Sequence, residues 1–375
     1  MDQNLKNVGL LLSSAVVNAG VARAAAAGFA VLSAGRQPTI QVVAAAGTLP
    51  GGLAVTTRTL FDLASLSKPV VACVAARLAE RGLLLLSAPL GSLLPEAVGT
   101  PSEQVPLELL LAHRAGLEAN RALFAPLFLG RAFERKRALR DAASCLRPDC
   151  RGRPPLAGFA PVYSDMSYIL AGAALEAAAR KPLDQLVRDE VAGPLGLELG
   201  SVRVLRAARP SFSAEVAPTE TLLARGGSVR GVVHDENAWA ISGHGASGHA
   251  GLFGTVEGVL RFAAALLEAR AGRSSWLSAS AFLPLVRQRP GGTLRAGFDG
   301  KSGSDSSAGE SSGPDTFGHL GFTGTSVWCD PTAEIATVLL TNRVCPTRHN
   351  PRIRAARPEV HDALFRRAQL SGSKS

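Results

Sequence analysis

Strand-type patterning confined to the two ends of the chain constrains this fold more than any other feature. Gly28 to Ala34 and Thr39 to Ala46 are apolar runs parted by the turn residues of Ser33 to Pro38, which predicts a β-hairpin. Thr325 to Cys329 and Glu334 to Thr341 flank Asp330-Pro331 and predict a second hairpin. Between them helical periodicity dominates, from Leu83 to about Glu190, with a further helix from Thr255 to Arg270 and a terminal one from Pro358 to Leu370. The simplest architecture is one sheet drawn from both termini with a helical lobe inserted, an α+β fold. The boundaries fall at 1–85 and 245–375 for the sheet lobe and 86–244 for the helical lobe. Within the helical lobe the span 118–160 is basic, proline-containing and irregular, a surface excursion. Residues 299–315, rich in Gly, Ser and Asp, read as a flexible loop.

The stretch Thr59 to Gly82 carries the first chemical signal. Ser65 stands three residues before Lys68, at the start of a run whose Val70, Val74 and Leu78 recur at helical spacing and which Gly82 closes. A serine at a helix N-terminus lies near the positive end of the dipole, and a lysine at i+3 shares its face. That spacing suits a nucleophile beside a proton acceptor, because a serine hydroxyl is weak until its proton is taken. Pro69 cannot donate to the Ser65 carbonyl, so the first turn is predicted to be irregular. The same spacing recurs at Ser371 to Lys374, in a polar tail that gives it no context.

Two more stretches add partners. The only two tyrosines, Tyr163 and Tyr168, fall in PVYSDMSYILAG from Pro161. Tyr163 precedes a helix that Ser164 and Asp165 can cap and that Lys181-Pro182 stops. A phenol near a lysine cation can ionise and serve as a base; the plainer alternative is a packing tyrosine. In FGHLGFTGTSVWCDP, from Phe317, His319 and Gly321 lead into a strand, where glycine lets a ligand lie against the edge and bare amides can hold an oxyanion.

Taken in order, Ser-x-x-Lys, Tyr-Ser-Asp and His-x-Gly resemble the motifs of the class C β-lactamase superfamily, which also holds DD-peptidases and family VIII esterases. FDLASLSK, LLAHRAGL, YSDMSYILAG, GPLGL, GVVHDENAWA, SGHAGLFGT, GHLGFTGTS and LLTNR extend the resemblance over most of residues 27 to 345. VHDENA and GHAGLF are similar to the penicillin-binding protein 4B group. The resemblance implies a three-layer α/β/α lobe, a helical lobe and an active site in the seam. It also implies a serine hydrolase that needs no cofactor and no metal. Ser65 would form an acyl-enzyme, Lys68 would ease its deprotonation and Tyr163 would relay protons. The N–H groups of Ser65 and Phe322 would form the oxyanion hole. His319, beside Gly321, would stand where the family has the lysine of Lys-Thr-Gly and would polarise Tyr163 or meet a substrate carboxylate. Two residues depart from the pattern: Asp165 replaces an asparagine and so holds Lys68 protonated, and His319 replaces a permanent cation by a titratable one. Both weaken β-lactam hydrolysis and leave ester or peptide hydrolysis open. They also motivate an alternative, a catalytically silent binding protein that keeps the cleft.

Composition excludes other classes. A chain of 375 residues that is 46% hydrophobic buries a sizeable core. The net charge of +10 comes from scattered arginines, and with 5% aromatics there is no interleaving of bases and rings for nucleic acid. An anionic acyl substrate, small molecule or peptide, is compatible with that charge. No apolar run is long enough to span a bilayer. Five cysteines without metal-ligand spacing favour free thiols in a reducing compartment, although Cys145 and Cys150 are close enough in sequence to pair. Residues 9–33 read as a helix with Gly20 near its end. With Asp2 ahead of Lys6 a cationic leader is nearly absent, so the start is cytoplasmic, or periplasmic if ARAAAAG from Ala22 is a degenerate cleavage site. Gly309-Glu310-Ser311-Ser312-Gly313 matches G-x-S-x-G but lies in the polar loop without a strand before it or a helix after it. His234, Asp235, His244 and His249 lack the helical pairing of a zinc site, and His234, Asp235 and Asn237 read instead as a brace beside the cleft, with His113 structural.

Overall fold

The computed structural model describes residues 8–33 and 35–372; Asp2, Lys6, Ala34 and Lys374 of the arguments above lie outside them. A helix with a π-helical segment Leu12–Asn18 opens the described chain and gives way near Gly20 to β1 (Ala24–Val31), which forms a hairpin with β2 (Thr39–Gly47). There follow β3 (Phe61–Asp62), α1 (Ser67–Glu80), α2 (Asp165–Ala179), β4 (Leu199–Ser201) and a small hairpin β5 (Thr221–Leu222) and β6 (Gly227–Ser228). Then come α3 (Glu236–Ser242), β7 (Leu252–Gly254), α4 (Val256–Arg270), α5 (Ala279–Val286) and β8 (Asp299–Gly300). The chain closes with β9 (Phe317–Leu320), β10 (Ser326–Asp330), β11 (Ile335–Thr341) and α6 (Ile353–Gly372).

The main sheet has the order β2-β1-β11-β10-β9-β8 and is antiparallel throughout, so β1 from one end of the sequence lies against β11 from the other, Ala27 opposite Leu339. Successive strand residues face opposite ways, and here both faces are covered. Ala24, Ala26, Ala30, Ala336 and Val338 pack with Val259, Leu260 and Ala263 of α4. Ala25, Ala27, Phe29, Ile335 and Leu339 pack with Leu12 and Val16 of the first helix and Val360 and Leu364 of α6. Three layers result. Burial on both sides explains why β1 reads as an unbroken apolar run rather than an alternation, and why its alanines form a strand despite their helix preference. Gly28 is dictated by crowding: a Cβ there would lie 2.5 Å from the Gln41 carbonyl oxygen and 2.8 Å from Leu260 Cδ1, where the β1–β2 register shifts. In the second hairpin Asp330 Oδ1 accepts from the amides of Thr332 and Ala333, both at 2.9 Å, and so shapes the turn.

Three expectations differ from the structure. The helix read over residues 9–33 ends near Gly20, and Ala24–Val31 form β1 instead. Inside the supposedly irregular span 118–160 lies a helix, Arg135–Ser144, whose Ala138, Leu139, Ala142 and Ala143 are buried; a narrow apolar stripe among arginines and lysines read as a basic surface. The polar segment 299–315, read as flexible, is fastened: the Ser311 amide donates to Asp362 at 2.7 Å and the Gly313 amide to Asp330 at 2.6 Å. Composition predicts a lack of regular structure there, but it does not reveal carboxylates elsewhere that bind the loop. All five cysteines are free thiols, so Cys145 and Cys150 are not paired.

A second, three-stranded sheet, β3-β7-β4, brings β3 and the turn before α1 to the cleft that Ser65 lines. Helix α1 is buried along almost its whole length, from Ser67 through Ala76.

Candidate active site

Ser65 lies in a 3₁₀ turn, Ala64–Leu66, that precedes α1, so the helix entry is irregular where Pro69 removes a donor. Lys68 follows on the first turn of α1 and has no solvent contact. Its ammonium donates to Ser65 Oγ at 3.0 Å, to Asp165 Oδ1 at 2.6 Å and to the His249 carbonyl at 3.2 Å, which uses all three of its protons. Burial acts to lower the Lys68 pKa, but Asp165 and Tyr163 together outweigh it and leave the amine above its ordinary value. At rest Lys68 is therefore a cation.

Tyr163 stands with its ring centroid 4.8 Å from Lys68 Nζ and its hydroxyl within reach of Lys68 and Ser65. Burial raises its pKa, and Lys68 only partly opposes this, so the resting phenol keeps its proton rather than ionising. The residue is held from behind. Ser164 caps α2 by accepting from the Ser167 amide, its own amide donates to His113 Nδ1 at 3.0 Å, and the His113 ring stacks on Tyr163 at 4.6 Å. His113 thus positions the tyrosine. Tyr168 is a packing residue whose hydroxyl donates to the Leu111 carbonyl at 2.7 Å.

Strand β9 supplies the other lip. His319 is buried, with its ring centroid 5.9 Å from that of Tyr163 and Nδ1 bonded to the Leu320 carbonyl at 2.8 Å. Burial, with Lys68 nearby, pushes its pKa down to about 3, so His319 is a neutral ring and not the titratable cation that its position suggested. A Cβ on Gly321 would come 1.9 Å from Thr325 Oγ1 and 2.6 Å from the Leu63 carbonyl oxygen; only glycine fits between the strand end and the turn before Ser65. Phe322 lies half exposed, with the Arg343 guanidinium 4.5 Å from its ring centroid and the His234 ring stacked at 5.9 Å.

Ser65, Tyr163, Asp165, Gly321 and Phe322 line one cleft of ≈ 440 Å³. Beside the brace of His234, Asp235 and Asn237 read from the sequence, the cleft contains Asn120 and three arginines that sequence reading did not single out. Asn120 lines it and accepts from Asn237, which also bonds the Arg121 carbonyl and the Phe124 amide, so Asn237 braces α3 against the 120–124 loop. Asp235 caps α3 and pairs with buried His249 at 2.8 Å; burial acts to raise its pKa, but His249 prevails and holds it far below the usual carboxylate range. His234 bonds Glu220 at 3.1 Å, and His244 is exposed. Of the four residues weighed as metal ligands, Asp235 and His249 pair with each other, His234 turns to Glu220 and His244 is exposed, and among the described residues no group of three or more His, Cys, Asp or Glu is placed to hold a metal ion. Arg343, Arg348 and Arg357 form the far wall. Arg348 is paired with Glu220 and Glu236, whereas among the described residues neither Arg343 nor Arg357 forms an ion pair. Arg357 is almost fully buried, donates to the Gly321 and Thr325 carbonyls, and is lowered to about 10 by burial and by Arg343.

Residues 14–361 match the protein family described as Beta-lactamase. The chain belongs to that family. A putative D-alanyl-D-alanine carboxypeptidase of Salmonella gallinarum is 30% identical over 220 residues, 54% of this chain and 48% of that protein, so the chain spans about half the length of the curated relatives it matches. Among solved structures, EstCE1, a hydrolase with promiscuous acyltransferase activity, superposes with a TM-score of 0.66 at 23% identity, covering 95% of this chain and 99% of that one. A penicillin-binding protein homologue from Caulobacter crescentus gives 0.68 at 18% identity, covering 97% and 98%. Both likenesses are of fold.

The neutral state of His319 has a direct check. Nitrogen-resolved NMR of the histidine side chains is expected to show His319 unprotonated throughout the neutral range, with its midpoint near about 3. A midpoint in the ordinary histidine range near 6.5 would restore a cation at that lip.

Proposed function

We propose that this chain is a serine hydrolase of the Beta-lactamase family that cleaves an ester or amide through an acyl-enzyme on Ser65. One observation carries the reading: Lys68 Nζ lies 3.0 Å from Ser65 Oγ, with the Tyr163 hydroxyl beside both, at the floor of a cleft. Once Lys68 has lost a proton to solvent, Ser65 attacks the carbonyl and its proton passes to the neutral Lys68 amine, directly or through Tyr163. The amides of Ser65 and Phe322 receive the oxyanion, and Tyr163 returns the proton to the leaving group. Water then attacks the acyl-enzyme with the same relay as base. The acyl substrate is a small molecule or peptide, and the lone guanidinium groups of Arg343 and Arg357 favour one that bears an anion. Carboxypeptidase-like or esterase-like turnover fits the neutral His319 better than efficient β-lactam hydrolysis. No helix among the described residues is long and apolar enough to cross a membrane. Five free thiols favour a reducing, cytoplasmic setting.

A second reading, a silent binding protein, rests on Asp165, whose 2.6 Å pair with Lys68 leaves no free base in the resting site. A fluorophosphonate probe and a fluorescent penicillin distinguish the two. Labelling of the wild type that disappears in Ser65→Ala is expected; labelling by neither probe would support the binder. Nitrocefin, a short-chain nitrophenyl ester and a D-Ala-D-Ala peptide, compared side by side, rank the substrates.

Asp165 also sets the pH dependence. Acylation needs the neutral Lys68 amine, and Asp165 keeps its pKa raised, so the rate climbs only as pH rises towards that value. In Asp165→Asn the amine loses the partner that raises it, and the rising limb of the kcat/KM profile moves to lower pH, with about tenfold more activity at neutrality for each unit moved. An unmoved limb would remove Asp165 from the relay. Arg343→Ala is expected to raise KM for a carboxylate-bearing ester about tenfold while leaving an uncharged ester nearly unchanged. Equal losses on both would count against anion selection.

A further inference from the structure

Asp62 takes no part in the proton relay described above, yet its buried carboxylate bonds two residues that line the cleft, Ala64 and His234. It ends β3, three residues before Ser65, and is only 3% exposed. One oxygen, Oδ1, accepts from the Ala64 amide at 2.8 Å, and the other, Oδ2, accepts from the His234 amide at 2.8 Å. Its main chain is engaged as well. The Asp62 carbonyl accepts from Thr323 Oγ1 at 2.7 Å, and the adjoining Leu63 carbonyl accepts from Thr325 Oγ1 at 3.0 Å. Four parts of the molecule therefore converge on two residues: β3, the turn that presents Ser65, the His234 segment under Phe322, and the turn that follows β9.

The turn that presents Ser65 needs such a hold. Ala64 has φ +48°, a left-handed conformation that a residue with a Cβ adopts only when its surroundings impose it. Bonding of the Ala64 amide to a fixed carboxylate keeps the backbone in that state and aims the next residue, Ser65, into the cleft. On the opposite lip, the two threonine hydroxyls belong to the turn that directly follows Phe322, whose amide is assigned to the oxyanion hole. Their carbonyl acceptors belong to the chain segment that carries Asp62. Gly321, which cannot accept a Cβ without meeting the Leu63 carbonyl, shows how closely the two lips are pressed together.

We propose that Asp62 is a positioning residue of the active site: its carboxylate locks the left-handed turn that presents Ser65. Its carbonyl and that of Leu63, through Thr323 and Thr325, fix the separation of the Ser65 and Phe322 amides. The role rests on the hydrolase reading above and adds to it the element that sets the width of the oxyanion hole. A carboxylate is required because both of its oxygens face N–H donors. Asp62→Asn keeps one acceptor and turns an NH₂ group towards the other donor, so one of the two bonds becomes a donor–donor clash.

The test uses the full chain with Asp62→Asn and Thr323→Val, the second of which deletes only one of the two threonine bonds between the lips and leaves the carboxylate untouched. Cooperative thermal melts establish folding, and single-turnover labelling by a fluorophosphonate, with kcat and KM on a nitrophenyl ester, reads the site. Both folded variants are expected to lose on the order of 10²-fold in acylation rate and kcat, the scale of a misplaced oxyanion donor, with KM nearly unchanged. A general structural weakening would instead lower the melting temperature and leave kcat of the folded fraction intact. Wild-type acylation in folded Asp62→Asn overturns the proposal. If that variant does not fold, wild-type acylation by Thr323→Val does so. If the wild-type protein takes no probe, the hydrolase reading fails by itself. The hold on the turn is then read from the Ala64 amide proton in Thr323→Val and Asp62→Asn spectra: a resonance far downfield in the wild type that moves upfield only in Asp62→Asn supports it, and an unmoved one overturns it.

Discussion

An ammonium group without any contact to water organises the cleft. Moving a charge out of solvent is costly unless each of its donors finds an acceptor, and Lys68 finds three. The acceptors come from separate parts of the chain: Ser65 from the turn before α1, Asp165 from the first turn of α2, and the His249 carbonyl from the loop that leads into β7. Any fold that buries this lysine must therefore bring α1, α2 and that loop together. Helix α1 meets the condition by lying enclosed along almost its full length, and the main sheet places β9 and the turn after it across from the result.

Charge around the cleft is balanced on one side and unbalanced on the other. Asp165 is matched by Lys68, Asp235 by His249, and Glu220 and Glu236 by Arg348. Across from them Arg343 and Arg357 bond carbonyl oxygens, Arg343 also lies over the Phe322 ring, and among the described residues neither forms an ion pair. Backbone carbonyls satisfy hydrogen bonds but do not neutralise a charge, so this wall keeps a positive potential that an incoming anion would cancel. His319 adds nothing to that potential, because burial keeps it neutral.

Much of this was legible in the sequence, for physical reasons that differ from residue to residue. Hairpins were readable because their apolar runs end at strong turn formers, and Asp330 indeed ties its own turn. The i, i+3 spacing of Ser65 and Lys68 was readable because a helix start fixes such neighbours locally. The partnership of Lys68 with Asp165 followed once the Tyr-Ser-Asp stretch was read beside it. What could not be read depends on burial and on distant contacts. Nothing near His319 in sequence announces that its ring is enclosed, and nothing near Arg357 announces that it reaches the end of β9 from a helix more than thirty residues later. Asp62 lay within a stretch already singled out, but its second partner, the His234 amide, is supplied by tertiary structure alone. The helix Arg135–Ser144 was missed because four buried residues on one side are a weak signal among so many arginines.

The pairing of β1 with β11 bears on how the molecule comes into being. Ala25 faces Thr341, so β1 waits for a strand made more than three hundred residues after it. Until then the nascent chain has one edge of its first hairpin open, with alanines on both faces that attract other chains as readily as their proper neighbour. The lip that carries Gly321 and Phe322 hangs on β9 and β10, which reach β1 only through β11. Polypeptides cut short before β11 are thus expected to engage chaperones and to contain no partly formed catalytic cleft, since the nucleophile turn would have nothing to close against.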